Sequence, residues 1–444
     1  MTLATARGEK YAADFKALTE SRPVGDWMAE LRQRGWDHFD SIGFPTARRG
    51  NELWKYTNLA TLDRGKFGFQ LDEPNSVSAE VLRERAPWSD DWNTLVFIDG
   101  RYSKALSQVS QVSSDAGVQA LNLTDAENNE TFRKNLGLHA AADENAFSAL
   151  NTAFLTDGAF VQISDNHEGT SPIHLLFVTT PAGFRATYPR TLVVAGTNSR
   201  ATVMESYIGL GDERGFTAPV AEYVLNSGSG IDHYRVLVEN EESFHIGITR
   251  VYQSDNSTFT STSFAFGPKI GRNDVHVLLD APGAECTLNG LYLTTGDQHM
   301  DNHISTTHAK PHGTSHQFFK GVLSGNSRAV FSGRVLVEKD AQKTQAFQKD
   351  LNLILSHGAE IDTKPSLEIY ADDVQCAHGA TAGHTDPETL FYMQARGIDK
   401  VTAQAMLMRG FASEIVDLIG VDGIRDYVHG VVEEAIPRLQ AAAD

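Results

Sequence analysis

The sequence predicts a mainly β protein, with a parallel β-helix at its centre and helical regions at both ends. From about residue 155 to 385, short strand-like segments follow one another with no helical segment between them, which argues against a βαβ sheet. Two interleaved series of turn residues, each with steps of about 25 to 32 residues, place a turn about every 13 to 16 residues, as in a solenoid. A β-sandwich is the alternative, but its turns are usually closer together.

The strands and turns of this central zone are predicted individually. Residues 328–337 show the clearest alternation, because Ala329, Phe331 and Val335 are separated by polar residues such as Ser332 and Arg334. This is the period of a strand with one buried face. The other examples are residues 201–208, 234–238, 258–266 and 275–279. The turn residues are Gly230, Asn256, Gly283 and Gly313 in one series, and Gly267, Gly296, Asn326 and Gly358 in the other.

The N-terminal region, residues 1–154, is predicted to be mixed and largely helical. Apolar residues from Trp27 to Phe39 recur at helical spacing and indicate an amphipathic helix. Thr94 to Ile98 is a predicted strand, and Asp99-Gly100 after it is a hairpin turn signal. Residues 122–147 are again polar and compatible with helices.

The C-terminal region, residues 386–444, is predicted to be helical. Asp386-Pro387-Glu388 combines a capping residue, a proline for the first turn and an acid at the positive end of the dipole. Two interpretations of the apolar stripes that follow stay open: core packing, or a helix pair that caps the open end of the solenoid and docks a partner. The stripes comprise Leu390, Phe391, Met406, Phe411, Ile415 and Leu418, then Tyr427, Val428, Val431, Val432, Ile436 and Leu439.

Composition limits the function classes. The formal net charge of −19 argues against general nucleic-acid binding, which needs clustered Lys and Arg. No stretch reaches the roughly 18 apolar residues of a membrane helix, and Arg7, Glu9, Lys10 and Asp14 interrupt any apolar start. We therefore expect a cytoplasmic protein that does not interact with membranes.

The cysteine count is informative, because Cys286 and Cys376 are the only two. They form no disulfide framework and cannot supply the four thiolates of a conventional iron–sulfur site. Cys376 and His378 are one residue apart, so in a strand they point to one face and are close enough to share a metal ion or a sulfur atom. An adjacent imidazolium would also lower the pKa of the thiol. By spacing alone, a structural role for this pair is the more common outcome.

Two other groups of polar residues are weaker candidates. Asp372 and Asp373 suggest acid–base chemistry, but neighbouring residues of a strand point to opposite faces. A histidine group has a spacing that fits neither a zinc finger nor an H-E-x-x-H helix, and we favour surface or packing roles for it. This group is His299, His303, His308, His312 and His316. The sequence contains no P-loop, no G-x-S-x-G elbow and no G-x-G-x-x-G fingerprint.

Beyond these patterns, the sequence resembles the SufB/SufD family of iron–sulfur cluster assembly scaffolds. Residues 359–383 carry the resemblance most specifically and read AEIDTKPSLEIYADDVQCAHGATAG. Two further segments support it, RAVFSGRVLVEKDAQKTQAFQKDLNLILS from Arg328 and LFYMQARGI from Leu390. The SufD branch is indicated by ELWKYTNL from Glu52, by LVFIDGRYSKALS from Leu95, and by C-x-H-G-A-T where SufB carries an E-H-E-A-type segment.

The resemblance implies a fold, partners and a site. The fold is a right-handed parallel β-helix between helical regions, here residues 155–385. The implied role is that of a non-catalytic scaffold subunit, which pairs with SufB along the β-helix and holds the ABC-type ATPase SufC through its C-terminal helices. Nascent iron–sulfur clusters, or iron, would sit where SufB cysteine and glutamate ligands face His378, with Cys376 beside it.

Some implied features have no residues assigned to them in this sequence. The complex of this family is associated with reduced flavin, and the sequence shows no flavin pocket. Among the five histidines, the resemblance extends to a loop from His308 to Lys320 but assigns no role there. Two other functions compete with the scaffold: a β-helix carbohydrate-active enzyme, and an adaptor in the same complex that contributes no ligand.

Overall fold

A computed structural model describes residues 5–47, 51–65, 67–71, 74–109, 117–181 and 183–443. Most of its strands belong to two long sheets that face each other, while helices lie at both ends of the chain. The helices are α1 (Thr5–Ser21), α2 (Asp26–Ile42), α3 (Ala60–Arg64), α4 (Ala79–Arg85), α5 (Leu123–Ala126), α6 (Glu130–Asn135), α7 (Ala146–Ala153), α8 (Pro387–Ala395), α9 (Lys400–Val416) and α10 (Asp422–Ala441).

The strands are short in the first third of the chain and about ten residues long from residue 200 onwards. They are β1 (Gly68–Phe69), β2 (Asn93–Ile98), β3 (Arg101–Tyr102), β4 (Val118–Asn122), β5 (Gly158–Ile163), β6 (Ile173–Thr179), β7 (Arg185–Thr187), β8 (Arg190–Ala195), β9 (Arg200–Gly209), β10 (Gly215–Thr217), β11 (Val220–Leu225), β12 (Gly230–Val238), β13 (Phe244–Gln253), β14 (Thr258–Phe266), β15 (Ile270–Leu279), β16 (Glu285–Thr294), β17 (His299–His308), β18 (Thr314–Leu323), β19 (Arg328–Val337), β20 (Gln345–Ile354), β21 (Glu360–Ile369) and β22 (Gln375–His384).

Successive strands alternate between the two sheets, which is the topology of a β-helix. The first sheet has the order β21-β19-β17-β15-β13-β11-β8-β5-β4, and the second has the order β22-β20-β18-β16-β14-β12-β9-β6-β2-β3. All neighbours from β5 and β6 onwards are parallel, whereas β2 with β3, and β4 with β5, pair antiparallel. The predicted parallel β-helix between helical regions is therefore confirmed. The division at residues 154 and 385 stays a prediction, and β2 and β4 from before residue 155 take part in the sheets.

The turns stack on one another in the way the interleaved series predicts. Asn256 has a φ of 51° and Gly283, one coil further along, has a φ of 73°. The Asn256 N–H donates to the carbonyl of Pro282 at 3.0 Å. A Cβ on Gly283 would lie 2.4 Å from Asn256 Oδ1, so only glycine allows both the left-handed backbone and the close approach.

The N-terminal region is fixed to the outer face of the first sheet by buried polar contacts. Arg190 and Glu222, 1% and 0% exposed, form an ion pair of 2.6 Å between Nη2 and Oε1. Glu222 also accepts hydrogen bonds from the backbone N–H groups of Gly137, His139 and Ala140, at 2.8 to 3.0 Å. A buried charge in this position is stabilised because both its partner and its hydrogen bonds are present.

The 52–59 segment, ELWKYTNL in sequence, also lies against the first sheet. The guanidinium of Arg272 lies 4.1 Å from the centre of the Trp54 ring, a cation–π distance. Thr57 donates to Asp301 at 2.5 Å, and Asp301 forms an ion pair with Arg272. The segment therefore has a packing role that depends on a buried charge pair.

The C-terminal helices pack on the outer face of the second sheet and do not cap the end of the solenoid. Apolar residues of α9 and α10, including Ile415 and Val428, form one buried cluster with Val236, Phe264 and other outer residues of the sheet. The capping hypothesis is thus wrong for α9 and α10, because these helices bury their apolar residues against the apolar outer face of β12, β14 and β16.

A lysine joins α9 to the second sheet. Lys320 has a side chain that is 1% exposed, and its Nζ lies 3.0 Å from Glu414 Oε2. It also donates to the carbonyl of Phe411 at 2.8 Å. No helix among the residues that the structure describes is long and apolar enough to cross a membrane.

Several buried titratable groups predict how stability depends on pH. Burial lowers the pKa of His174 and His233 to about 3, and of His308 to about 4, from an ordinary value of 6.5. Their stabilisation is therefore complete above pH 6.5 and is lost as pH falls, because only the unfolded chain takes up protons. Burial raises the pKa of Asp157 and Asp350 to about 6, and these two groups favour folding at lower pH.

The histidines dominate this balance. Between pH 7.5 and pH 5, each histidine is expected to lower the free energy of unfolding by about 2 kcal/mol. Each aspartate is expected to raise it by about 1.4 kcal/mol over the same range. Summed over these five groups, the free energy of unfolding is expected to be about 3 kcal/mol lower at pH 5 than at pH 7.5. Urea titrations at the two pH values measure it, and an equal or higher stability at pH 5 would contradict this assignment.

Candidate functional site

The candidate site lies at the C-terminal end of the β-helix, where the last coil is uncovered. β21 and β22 end the first and second sheets, and neither strand contains a fully buried residue. The preceding pair, β19 and β20, both contain fully buried residues. Side chains on the inner face of β22 are therefore accessible from the mouth of the solenoid.

Cys376 faces this interior. It is half-buried and packs against the apolar cluster that includes Val335, Val337 and Ala346. The backbone register places Cys376 opposite Ala346 and His378 opposite Gln348. Since residues two apart in a strand share a side, the structure brings Cys376 and His378 to the same inner face. His378 is exposed.

The electrostatics of Cys376 differ from the prediction. Burial raises the pKa of its thiol, and a weaker opposing effect comes from a hydrogen bond with the backbone of Ala346. In this chain burial is the largest influence on the thiol, and it acts against the lowering that an adjacent imidazolium would cause. Cys376 is therefore not an activated thiolate in the isolated chain.

Thiol labelling tests whether the pKa of the Cys376 thiol is raised. In the native chain, Cys376 is expected to react with iodoacetamide at pH 7.5 no faster than free cysteine, because its thiolate fraction is not enhanced. Cys286 is 2% exposed, so only one thiol should react before unfolding and two afterwards. Mass spectrometry of the labelled peptides measures both, and labelling of Cys376 faster than free cysteine would contradict the raised pKa.

Beneath His378, a chain of amides crosses the interior of the solenoid. Gln348 Nε2 donates to Gln317 Oε1 at 3.0 Å, and Gln317 Nε2 donates to the Thr306 hydroxyl at 3.0 Å. Gln317 belongs to the second sheet and Thr306 to the first, so these bonds span the core. The mouth of the β-helix is thus polar where the middle of the solenoid is largely apolar.

Asp350 is a buried acidic residue near this site that sequence reasoning missed. It is 0% exposed and lies two residues after Gln348 on the same inner face. Asn352 Nδ2 donates to Asp350 Oδ2 at 2.7 Å, and Tyr292 donates in turn to Asn352. Burial raises the pKa of Asp350 to about 6, while contact with the Thr363 and Asn352 side chains opposes this shift.

The predicted histidine group is dispersed. His299, His303 and His308 lie on β17 of the first sheet, whereas His316 lies on β18 of the second. His308 faces the interior and bonds to Ser315 at 2.8 Å, and His316 is stacked on Phe347 at 5.3 Å. Of this group, His312 occupies a turn, with a φ of 63°. The described ranges of the chain contain no group of three or more His, Cys, Asp or Glu residues arranged to hold a metal ion.

Asp372 and Asp373 lie in the turn before β22 and do not form a catalytic pair. Asp373 forms an ion pair with Lys343, and its N–H donates to Gln342 Oε1 at 2.9 Å. Asp372 is exposed. Their contacts are those of a solvated turn.

A second exposed surface lies on α8, directly after β22. This helix begins as predicted, with Asp386 accepting hydrogen bonds from the N–H groups of Glu388 and Thr389. It has no buried residue, and Phe391 and Tyr392 are 72% and 59% exposed. Two adjacent exposed aromatic residues are unusual on a protein surface and indicate a contact site.

Comparisons with known proteins agree with this architecture. The SUF system FeS cluster assembly SufBD core domain matches residues 177–411, and the SufBD protein N-terminal region matches residues 9–175. An iron–sulfur cluster assembly SufBD family protein of Synechocystis is 33% identical over 91% of each chain. The iron–sulfur cluster assembly protein SufD is 30% identical in Escherichia coli, over 89% of this chain and 90% of its own. In Bacillus subtilis, SufD is 23% identical over 97% and 99%.

These matches cover the N-terminal region, the β-helix and the start of the C-terminal helices. The similarity to SufD, 30% identity over 89% of this chain, extends the resemblance well beyond the segment around Cys376 and His378. This similarity to assembly proteins also argues against the alternative of a β-helix carbohydrate-active enzyme. The chain therefore belongs to the SufB/SufD family of iron–sulfur cluster assembly scaffolds, and within that family it is SufD-like.

Proposed function

We propose that this chain is the SufD-type subunit of a cytoplasmic Suf complex, in which it pairs with SufB and holds the ATPase SufC. The observation that carries the proposal is the uncovered last coil, in which β21 and β22 lack any fully buried residue. A β-helix that ends in unprotected strands needs a cap or a partner, because free strand edges pair with other chains. SufB, as a member of the same family, is the partner of matching architecture.

In this arrangement His378 is the ligand that the chain contributes to the nascent cluster. Its imidazole is exposed on the inner face of the terminal strand, and imidazole is a suitable ligand for iron. The thiolates come from SufB, because Cys286 is buried and the pKa of Cys376 is raised. Cys376 is the accompanying thiol, which a partner's iron would deprotonate on binding.

SufC docks on the C-terminal helices in this proposal. The exposed Phe391 and Tyr392 of α8 supply the contact, while the buried faces of α9 and α10 connect it to the second sheet. ATP hydrolysis belongs to SufC. Reduced flavin is a further component of the proposed complex, and no residue of this chain is assigned to it.

A second candidate is an adaptor that holds both partners but provides no ligand. The observation in its favour is that the described part of the chain has no three-residue cluster of metal-ligating side chains. The two candidates share partners and differ only in whether His378 contributes to cluster formation.

Co-expression with SufB and SufC tests the partners that both candidates need. We expect the three proteins to purify together, with SufB retained by a tag on this chain. Adding a lysine to the exposed edge, as Thr381→Lys on β22, should weaken SufB retention about tenfold or more, because edge charges oppose strand pairing. A variant on a different surface, Glu30→Lys of α2, is the matched control. Purification of the wild-type chain alone, free of both partners, would reject the proposal.

A further inference from the structure

A cleft of about 710 Å³ lies between α10, α4 and the turns that follow four strands of the second sheet. This volume is in the range of ligand-binding clefts, about 300 to 1,000 Å³. The floor of the cleft is apolar, because the half-buried Val238 and Val431 lie there beside the buried Phe266 and Leu293. None of the lining residues belongs to α8 or β22. The cleft is therefore separate from the surfaces assigned to SufC and SufB.

The walls of the cleft are fixed, because α10 is anchored near both of its ends. Near its start, the Tyr427 hydroxyl donates to the carbonyl of Arg85 at 2.8 Å and holds α10 against α4. Near its end, the Ser324 hydroxyl donates to the carbonyl of Leu439 at 2.6 Å and holds α10 on the second sheet. The space between these two contacts is thus formed before any ligand arrives, which lowers the entropy that binding would cost.

The rim of the cleft is acidic. Two arginines contribute to it, Arg85 and Arg438. Arg438 Nη1 lies 3.8 Å from Glu241 Oε1, and the two side chains are 60% and 58% exposed, so this ion pair is weak. The exposed acids of the rim outnumber the two arginines and come from α4, α10 and two turns of the sheet. They are Glu84, Asp212, Glu241, Asp426 and Glu434.

Gly430 leaves the cleft open on the side of α10. It lies in the middle of this helix, where glycine is unfavourable, and it is exposed and lines the cleft. A Cβ at this position would meet no atom within 4 Å. A ligand can therefore approach the helix backbone here, between the acids at positions 426 and 434.

We propose that this cleft binds a short basic segment of a partner protein, in which an apolar side chain lies between lysine or arginine residues. A wholly apolar segment would remove the rim carboxylates from water without pairing them. A small inorganic cation would make no use of the apolar floor. A basic segment with an apolar residue matches both features, since its cations face the rim while its apolar side chain covers Val238 and Val431 next to Gly430.

Fluorescence anisotropy with the full chain and a synthetic peptide tests the inference. The probe is a short fluorescein-labelled peptide of alternating lysine and leucine, at physiological ionic strength. Wild type should bind one peptide saturably. A peptide of alternating lysine and serine, with the same charge, should bind about tenfold more weakly or less, because it has nothing to place on the apolar floor. Equal affinity for the two peptides would overturn the inference, because attraction to the net charge of −19 would then explain the binding.

Two pairs of variants locate the binding in the cleft. Reversing two rim charges, as Asp426→Lys with Glu434→Lys, should weaken binding about tenfold or more. The matched control makes the same charge change on exposed residues of α2, as Glu30→Lys with Asp40→Lys, and should have a much smaller effect. Gly430→Leu fills the open space and should also weaken binding about tenfold or more, whereas Gly430→Ala should keep most of it.

The Tm separates loss of the cleft from loss of the fold. Both substitutions of Gly430 should leave the Tm equal to or above that of wild type, because leucine and alanine favour a helix more than glycine does. No saturable binding by wild type would overturn the inference, as would equal losses in the α10 and α2 double variants or wild-type affinity in Gly430→Leu. None of these outcomes depends on SufB or SufC, so the inference can fail while the proposed function holds, and the reverse.

Discussion

Replacing Phe391 by aspartate is expected to weaken the binding of SufC about 30-fold or more, with no change in the Tm of the isolated chain. Phe391 is 72% exposed on a helix without buried residues, so the folded chain loses no packing. An aromatic residue at the centre of an interface typically contributes about 2 kcal/mol or more, which is about 30-fold in affinity. Calorimetric titration of the purified variant with SufC measures the effect.

Control variants distinguish the loss of a SufC contact from a loss of folded structure in this experiment. Tyr392→Asp should act in the same direction, because Tyr392 is its exposed neighbour. Leu138→Asp changes an apolar residue of similar exposure, 57%, in the N-terminal region and should have no effect. Phe411 is a poorer test, since it packs on Lys320 at 4.0 Å and its loss would also disturb α9. Wild-type affinity in both aromatic variants would place the SufC contact elsewhere.

The regular part of the fold was predictable because strand alternation and turn chemistry agree there. Residues 258–266 and 328–337 match β14 and β19 from end to end. In the second of these strands, Ala329, Phe331 and Val335 are indeed buried. The amphipathic pattern from Trp27 likewise corresponds to α2, whose Met28, Leu31 and Phe39 are buried.

Strand β20 shows where alternation fails. Its apolar residues Phe347, Leu351 and Leu353 would be assigned to the core, yet they are not fully buried. The residues that are buried between them are Gln348, Asp350 and Asn352. The reason lies in the tertiary structure. Helices cover the outer face of the second sheet, so Leu353 packs against them outside the solenoid. The interior of the solenoid is polar at this end. A single strand cannot reveal which of its two faces is the interior.

The sequence indicates a candidate site but not the surroundings of its residues. The segment around Cys376 and His378 was identified through its resemblance to the family, and register then places both residues on one face. The raised thiol pKa depends on burial against Val335 and Ala346, which lie 30 or more residues away in sequence. Asp350 carries no signal of its own, since an isolated acid in a strand resembles any solvated residue.

Replacement of His378 is the second substitution that we expect to have a large effect. In the complex with SufB and SufC, His378→Ala is expected to lower the iron and acid-labile sulfide retained after anaerobic reconstitution about tenfold or more, because the interface would lose the ligand that we propose for this chain. His316→Ala removes another exposed histidine, which stacks on Phe347 of the adjacent strand, and should retain the wild-type content. Size-exclusion chromatography must show that both variants still form the complex.

This comparison decides whether the chain contributes a ligand to the nascent cluster. The measurement is the molar ratio of iron and sulfide to complex, determined side by side for wild type, His378→Ala and His316→Ala. Only His378→Ala is expected to lose the cluster while the assembly stays intact. A full complement of iron and sulfide in an intact His378→Ala complex would contradict it, and would leave this chain as an adaptor without a ligand.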